Sequence, residues 1–229
     1  MAFKVCVFDA YGTLFDVASA ARELAQEPGQ DRFGDVWQAV ARDWRHKQLQ
    51  YTWLRTIIKA HVDFWAVTQD GLDWALEASG INDPELRERL LALYWELSAY
   101  PEVPDMLATL RAGGLSTAIL SNGSPDMLRG AVHAAGLEEL LDNVLSVEDV
   151  GVFKPHASVY QMVPDQFGCT RDQVLFVSSN GWDAAGAAEF GFHCVWVNRA
   201  QEPVDRLPWA PPVILPDLQT LPQVALNGS

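Results

Sequence analysis

Three stretches of this chain end an apolar run with residues able to do chemistry, and a loop supplies a fourth. Val5-Cys6-Val7-Phe8 is uninterrupted and apolar, as expected of a strand buried on both faces, and it stops at Asp9. A carboxylate at the C-terminal end of a buried parallel strand lies where open α/β sheets hold their ligands. Gly12 and Thr13 then turn the chain away, leaving room for a small substrate. A lone aspartate there would ordinarily cap a turn; what raises its interest is the set found downstream. Ser121-Asn122-Gly123-Ser124 follows a second apolar run and leads into a helix, a natural cradle for a carboxylate or phosphate. Ser121 and the backbone after it suit ligand contact, whereas Ser124 is expected to serve as a helix N-cap. Lys154-Pro155 occupies a later loop, and Ser178-Ser179-Asn180-Gly181-Trp182-Asp183 follows the run Val174 to Val177.

The elements that position these residues fall into two groups. Residues 16 to 98 read as helices with no convincing strand. Phe33, Trp37, Val40, Trp44 and Leu49 keep helical spacing over Asp31 to Leu49, and Leu54 to Trp65 continue it. A further helix starts at Asn82-Asp83-Pro84 and runs through Leu97. Pro101 and Pro104 mark a junction. Strands are then expected at Leu115–Leu120, Asn143–Val147, Val174–Val177, His193–Val197 and Val213–Leu215, with helices at Pro104–Ala112, Ser124–Ala135, Ala157–Phe167 and Trp182–Glu189. The Pro-rich segment around Pro203 to Pro216 reads as a loop or edge connection. Such alternation implies a parallel sheet with helices on both faces. The expected fold class is therefore α/β: a Rossmann-like core from residues 1–15 and 99–229, with a helical cap, residues 16–98, inserted after the first strand.

A formal net charge of −14 argues against nucleic acid, whose binding needs Lys and Arg against phosphates. It would also repel an anionic substrate, so a particular Arg or Lys must offset that field at the site. No apolar run approaches the roughly 18 residues of a membrane span, so no membrane partner is expected. Met1-Ala2-Phe3-Lys4 leads straight into the first strand, so no signal peptide is expected. Cys6, Cys169 and Cys194 read as free thiols of a cytoplasmic protein, and their spacing offers no metal site.

Asp9-Ala10-Tyr11-Gly12-Thr13 after its apolar run resembles the first motif of the haloacid dehalogenase superfamily, and Lys154-Pro155 resembles the third. The resemblance implies that Lys154 lies against Asp9, where an ammonium keeps a carboxylate ionised and nucleophilic. Most members are magnesium-dependent phosphatases. They carry a second Asp two residues after the nucleophile, to protonate an alkoxide leaving group. They also carry two acids four residues apart near the metal. Here Tyr11 and Ser179 replace one acid of each set. A halide leaves as an anion without protonation, so Tyr11 suits carbon–halide chemistry.

The resemblance narrows to the L-2-haloacid dehalogenases. It covers nearly the whole chain and is carried by Asp43–Leu49, Tyr51-Thr52-Trp53-Leu54-Arg55, Ser121–Pro125 and Ser178–Asp183. It implies a hydrolase that converts (S)-2-haloacids to (R)-2-hydroxy acids plus halide, through an ester on Asp9 hydrolysed by water. It further implies that Asp183, Asn180, Ser178 and Lys154 orient the water and the nucleophile. Arg45 receives the halide, and Thr13, Ser121 and Asn122 hold the substrate carboxylate. Tyr160 supports Lys154, and Tyr11, Leu49, Phe64 and Trp182 wall the alkyl group. His46 is a candidate second donor to the halide, which would extend the range to haloacetates, fluoroacetate included. No metal or other cofactor is implied, and a homodimer is. The competing readings are a metal-dependent phosphatase acting on a small phosphorylated metabolite, and a non-enzymatic binding protein of the same fold.

Overall fold

The computed structural model describes residues 3–227. Met1 and Ala2, on which the reading of the N-terminus rests, lie outside the described residues, as do residues 228 and 229. Strand β1 (Val5–Phe8) is fully buried along its length. It lies between β2 (Ser116–Ser121) and β4 (Val174–Ser178) in a parallel six-stranded sheet. The others are β3 (Asn143–Ser146), β5 (His193–Val197) and β6 (Val213–Leu215), in the order β3-β2-β1-β4-β5-β6. The chain leaves β1 toward β2 and β3, then returns to the opposite side of β1 for β4. Strand order therefore reverses at β1, and a crevice opens beyond the carboxyl ends of β1, β2 and β4, the usual ligand position in such sheets.

Among the described residues six helices lie between β1 and β2: α1 (Ser19–Leu24), α2 (Asp31–Gly34), α3 (Trp37–Ile58), α4 (Phe64–Ala78), α5 (Pro84–Trp95) and α6 (Val103–Ala112). Later come α7 (Pro125–Ala134), α8 (Ala157–Phe167), α9 (Gly181–Phe190) and α10 (Leu221–Leu226). The second and third of the early helices differ from the sequence reading. The apolar spacing over residues 31–49 covers a single turn, a break at Asp35-Val36, and a helix that runs on to Ile58. Lys59 closes α3 in the left-handed conformation, and Asp63 opens α4 by accepting from Ala66 N at 2.8 Å. Those two signals cut a periodicity that otherwise runs through both helices. Helix α5 begins as expected, with Asp83 accepting from the backbone of Glu85 and Leu86 and Pro84 in the first turn. Helix α10 was not anticipated, being too short to show a period.

A buried polar knot joins α3, α4 and α5. Trp44 donates to the Thr68 carbonyl at 2.8 Å, and the Gln48 amide donates to Thr68 Oγ1 at 3.0 Å and Tyr94 Oη at 3.1 Å. Every member is bonded, as burial of polar groups requires. The chain passages leading out of and back into the sheet run side by side, with Asp16 N donating to Ser98 O and Tyr100 N to Leu14 O, each at 2.9 Å. Among the described residues no helix is long and apolar enough to cross a membrane.

Candidate active site

Asp9 extends the β1 ladder by donating its backbone N–H to Val177 O at 2.9 Å, which fixes its Cα at the strand end. Its side chain is nearly buried, and both oxygens are engaged. Oδ1 accepts from Lys154 Nζ at 3.1 Å; Oδ2 accepts from Asn180 Nδ2 at 3.0 Å and from the Thr13 hydroxyl at 3.2 Å. Lys154 enters on the loop before α8, where its own N–H donates to Asn122 Oδ1 at 3.0 Å. Its ammonium, almost wholly buried, also donates to Asp183 Oδ2 at 2.9 Å. Burial alone would depress this lysine, but the carboxylates of Asp183 and Asp9 outweigh it and hold Lys154 above the ordinary lysine range.

Asp183, in the first turn of α9, is fully buried, and burial lifts its carboxyl above the usual range against the pull of Lys154. Ser178, the last residue of β4, donates to its Oδ2 at 3.0 Å, and Tyr160 to its Oδ1 at 2.8 Å. Tyr160 was expected to support Lys154; it bonds Asp183 instead and reaches the lysine only through that carboxylate. Gly186 makes this approach possible, since a Cβ there would lie 2.8 Å from Tyr160 Oη.

Thr13 was expected to hold a substrate carboxylate. Its hydroxyl is buried and already committed: besides facing Asp9 it lies 3.1 Å from Ser179 Oγ and accepts from Ser179 N at 2.8 Å. Gly12 permits this closure with φ +89°, and a Cβ there would sit 2.9 Å from Ser179 Oγ. Gly12→Ala is therefore expected to lower stability by about 1–3 kcal/mol, read as a lower thermal midpoint, and to reduce activity by loosening Thr13 from Asp9. An unchanged midpoint would remove the strain argument.

Arg45 descends from α3, and its Nη2 donates to Tyr11 O at 3.0 Å and to Asn180 Oδ1 at 3.4 Å. Lys154 thus meets both carboxylates directly, and Arg45 is linked to Asp9 through the Asn180 amide, so two cations offset two anions within a strongly acidic molecule. Leu49 lies one turn beyond Arg45 on the same helix face. The Tyr11 ring is buried among Phe64, Tyr94 and Phe15, with centroids at 5.8, 5.7 and 6.3 Å. Its hydroxyl is buried with no hydrogen-bond partner among the described residues, and burial pushes its pKa well above the ordinary phenol value. Trp182, at the start of α9, meets Trp53 of α3 edge-on at 5.2 Å.

Ser121 is fully buried at the end of β2, its oxygen accepting from Gly123 N at 3.0 Å. Ser124 takes the N-cap position of α7, yet its side chain makes no capping hydrogen bond. His46 departs from expectation: it is exposed on α3. One residue past Arg45 is a rotation of about 100° around the helix, which turns the imidazole away from the Arg45 face, so the placement lends no support to a halide contact.

A family model for haloacid dehalogenase-like hydrolases matches residues 3–191. The (S)-2-haloacid dehalogenase 1 of Pseudomonas sp. (strain CBS-3) is 43% identical over 226 residues, covering 98% of this chain and 97% of that protein. The chain belongs to the (S)-2-haloacid dehalogenase family. A second relative, (S)-2-haloacid dehalogenase 4A of Burkholderia cepacia, is 42% identical over 87% of this chain and 85% of its own. A solved structure of L-2-haloacid dehalogenase from Xanthobacter autotrophicus, with chloropropionic acid covalently bound, superposes with a TM-score of 0.88. It is 36% identical and covers 99% of this chain and 100% of that one.

In this haloacid dehalogenase-family chain, sequence reasoning passed over three residues at the site. Ser179 drew attention only as a missing acid, whereas its N–H and hydroxyl both fix Thr13. Tyr94 stacks on Tyr11 with the rings 20° from parallel, and Trp53 reaches Trp182. Each lies in a helical or loop pattern where position, not residue type, decides the contact.

Proposed function

We propose that this protein hydrolyses (S)-2-haloacids to (R)-2-hydroxy acids and halide. The observation that carries the reading is the Asp9 carboxylate gripped by Lys154, Asn180 and Thr13, with the Arg45 guanidinium on the other end of the same Asn180 amide. An oxygen of Asp9 attacks Cα from the side opposite the halogen; the C–O bond forms as the C–halogen bond breaks, and that carbon inverts. The halide leaves with the bonding pair toward Arg45. Water then adds to the ester carbonyl carbon of Asp9 and gives up its proton to Asp183, which Lys154, Ser178 and Tyr160 hold in place. Collapse of the adduct breaks the carbonyl carbon–oxygen bond to the substrate, whose oxygen takes the proton back from Asp183 as the hydroxy acid leaves; the other proton of the water passes to solvent and the Asp9 carboxylate is restored. Ser121 and Asn122, at the end of β2, receive the substrate carboxylate. Leu49, Phe64, Trp182 and the Tyr11 ring enclose its alkyl group.

Two features favour this reading over phosphate chemistry. A phenol packed into an aromatic wall and held well above its ordinary pKa is a poor acid for an alkoxide leaving group. Ser179 stands where the phosphatases carry their second acid, which leaves one carboxylate fewer for a divalent ion. Haloacetates, fluoroacetate included, fit the same steps with no alkyl group to enclose.

The test is halide release from L- and D-2-chloropropionate, chloroacetate and fluoroacetate, with and without EDTA. Turnover of the L enantiomer undiminished by chelator is expected. Loss of activity with EDTA, or release of phosphate from small phosphoesters at a higher rate, would overturn the reading.

We further propose residues 1–15 and 99–229 as a core and 16–98 as a cap, since the reacting carboxylates come from the former and Arg45 from the latter. A cytoplasmic homodimer completes the proposal. The free thiols of Cys6, Cys169 and Cys194 support the location. The exposed Leu54, Ile57 and Ile58 at the end of α3 support the assembly.

A further inference from the structure

The two passages that connect the helices of residues 19–95 to the sheet meet at a single arginine. Arg199 lies just beyond β5. Its Nη2 donates to Thr13 O at 3.1 Å on the outgoing passage. On the returning passage, its Nη1 pairs with Glu102 at 2.7 Å, and its guanidinium carbon lies 3.6 Å from the centre of the Tyr100 ring. The side chains of Arg199 and Glu102 are only 20% and 13% exposed, so the pair is shielded from the screening that weakens surface ion pairs. Glu102 is itself tied to the sheet side, accepting from Leu218 N at 3.4 Å. One planar group thus makes a carbonyl contact, an ion pair and a ring stack, a combination that an ammonium cannot reproduce.

We propose that Arg199 is a positioning residue for the first chemical step, holding α3 and its Arg45 at the correct angle over Asp9; this rests on the dehalogenase reading above. The route is short. Arg199 holds the Thr13 carbonyl, and the Thr13 hydroxyl faces Asp9 Oδ2. The returning passage it grips is bonded to the outgoing one at Leu14 and Asp16. Arg45, by contrast, hydrogen-bonds the sheet side through Tyr11 O and Asn180; α3 meets that side again at Trp53–Trp182 and Thr56–Phe153, further along the helix, so the angle at Arg45 depends on how the passages are held as well. The groups assigned to ester breakdown, namely Lys154, Asp183, Ser178 and Asn180, all lie on the sheet side. Loosening the passages therefore slows formation of the ester and spares its hydrolysis. Misplacement by about 1 Å is enough to cost on the order of 100-fold in rate.

The experiment is rapid quench of wild type, Arg199→Met, Arg199→Lys and Glu102→Gln with L-2-chloropropionate, following the intact-protein mass of the ester and normalising to folded protein by circular dichroism. Arg199→Met is expected to slow ester formation by about 10–100-fold while changing ester breakdown less than about twofold. Arg199→Lys is expected to recover only part of the loss, and Glu102→Gln, which keeps the contact to Thr13, to show a smaller loss of the same kind. A structural role alone would lower the folded fraction and leave the ratio of the two rates untouched. If wild type forms the ester and every variant shows that unchanged ratio, the assignment of Arg199 is overturned. If wild type forms no ester, the functional reading falls and this inference with it.

Discussion

Asp9→Ala releases no halide from L-2-chloropropionate above background, a loss of at least about 10⁴-fold. The size follows from the chemistry: no other oxygen is held at the end of β1 with donors on both sides, and an unactivated water is a poor substitute at a saturated carbon. The fold survives the change, because Lys154 keeps its 2.9 Å partner in Asp183 and no buried cation is left bare. Circular dichroism and thermal unfolding close to wild type should accompany the lost activity. A companion measurement reads the same atom directly. After several turnovers in heavy-oxygen water, peptide mass analysis is expected to find the label in the Asp9 carboxyl group, because hydrolysis replaces one of its oxygens. Residual turnover by Asp9→Ala, or an unlabelled Asp9 in the wild type, would end the ester mechanism.

Lys154→Met is expected to remove activity by about 10³-fold and, unlike Asp9→Ala, to damage the fold. It leaves Asp9 and Asp183 buried with no cation between them, and breaking such an arrangement by removing one partner costs about 3–5 kcal/mol. The pH dependence distinguishes this cause from lost packing. Lys154 titrates above the ordinary lysine value in the fold. Its contribution is therefore complete below that ordinary value and is lost only as pH rises through the raised one. The gap in thermal midpoint between wild type and Lys154→Met should hold through neutral pH and close only in strong alkali. In acid the gap narrows as well, because protonation neutralises the carboxylates that the variant leaves exposed to each other. The double variant Lys154→Met/Asp183→Asn should recover most of the midpoint at neutral pH and none of the activity. A gap that stays the same from acid through strong alkali, or no recovery in the double variant, would show that the lysine matters only for its packing.

The parts of the fold visible in the sequence are those where one physical signal dominates. The apolar strands β1, β4 and β5, the fully capped start of α5, and the order of strands and helices from Pro101 to Leu215 were all legible from burial pattern and turn residues. The break between α3 and α4 was harder, because both helices bury apolar faces and the period runs past the gap; Lys59 and Asp63 mark the boundary through backbone conformation and a single cap. At the site, Asp9, Lys154 and Asp183 could be named because motifs fixed their positions in the chain. Which atoms they touch could not. Tyr160 bonds Asp183 rather than Lys154, the Thr13 hydroxyl is consumed by Asp9 and Ser179, and His46 faces outward. Each of those outcomes depends on a side-chain direction of a few tens of degrees, which residue type does not encode.

The groups around Asp9 arrive from two sources that share little framework. Lys154, Ser178, Asn180 and Asp183 are pinned to the sheet by one another, while Arg45, Leu49 and Phe64 ride on α3 and α4. Variation along residues 37–78 can therefore explore bulkier acids or different departing atoms without rebuilding the water-attack half. Descendants of such a chain would diversify first in what they accept and last in how they let it go.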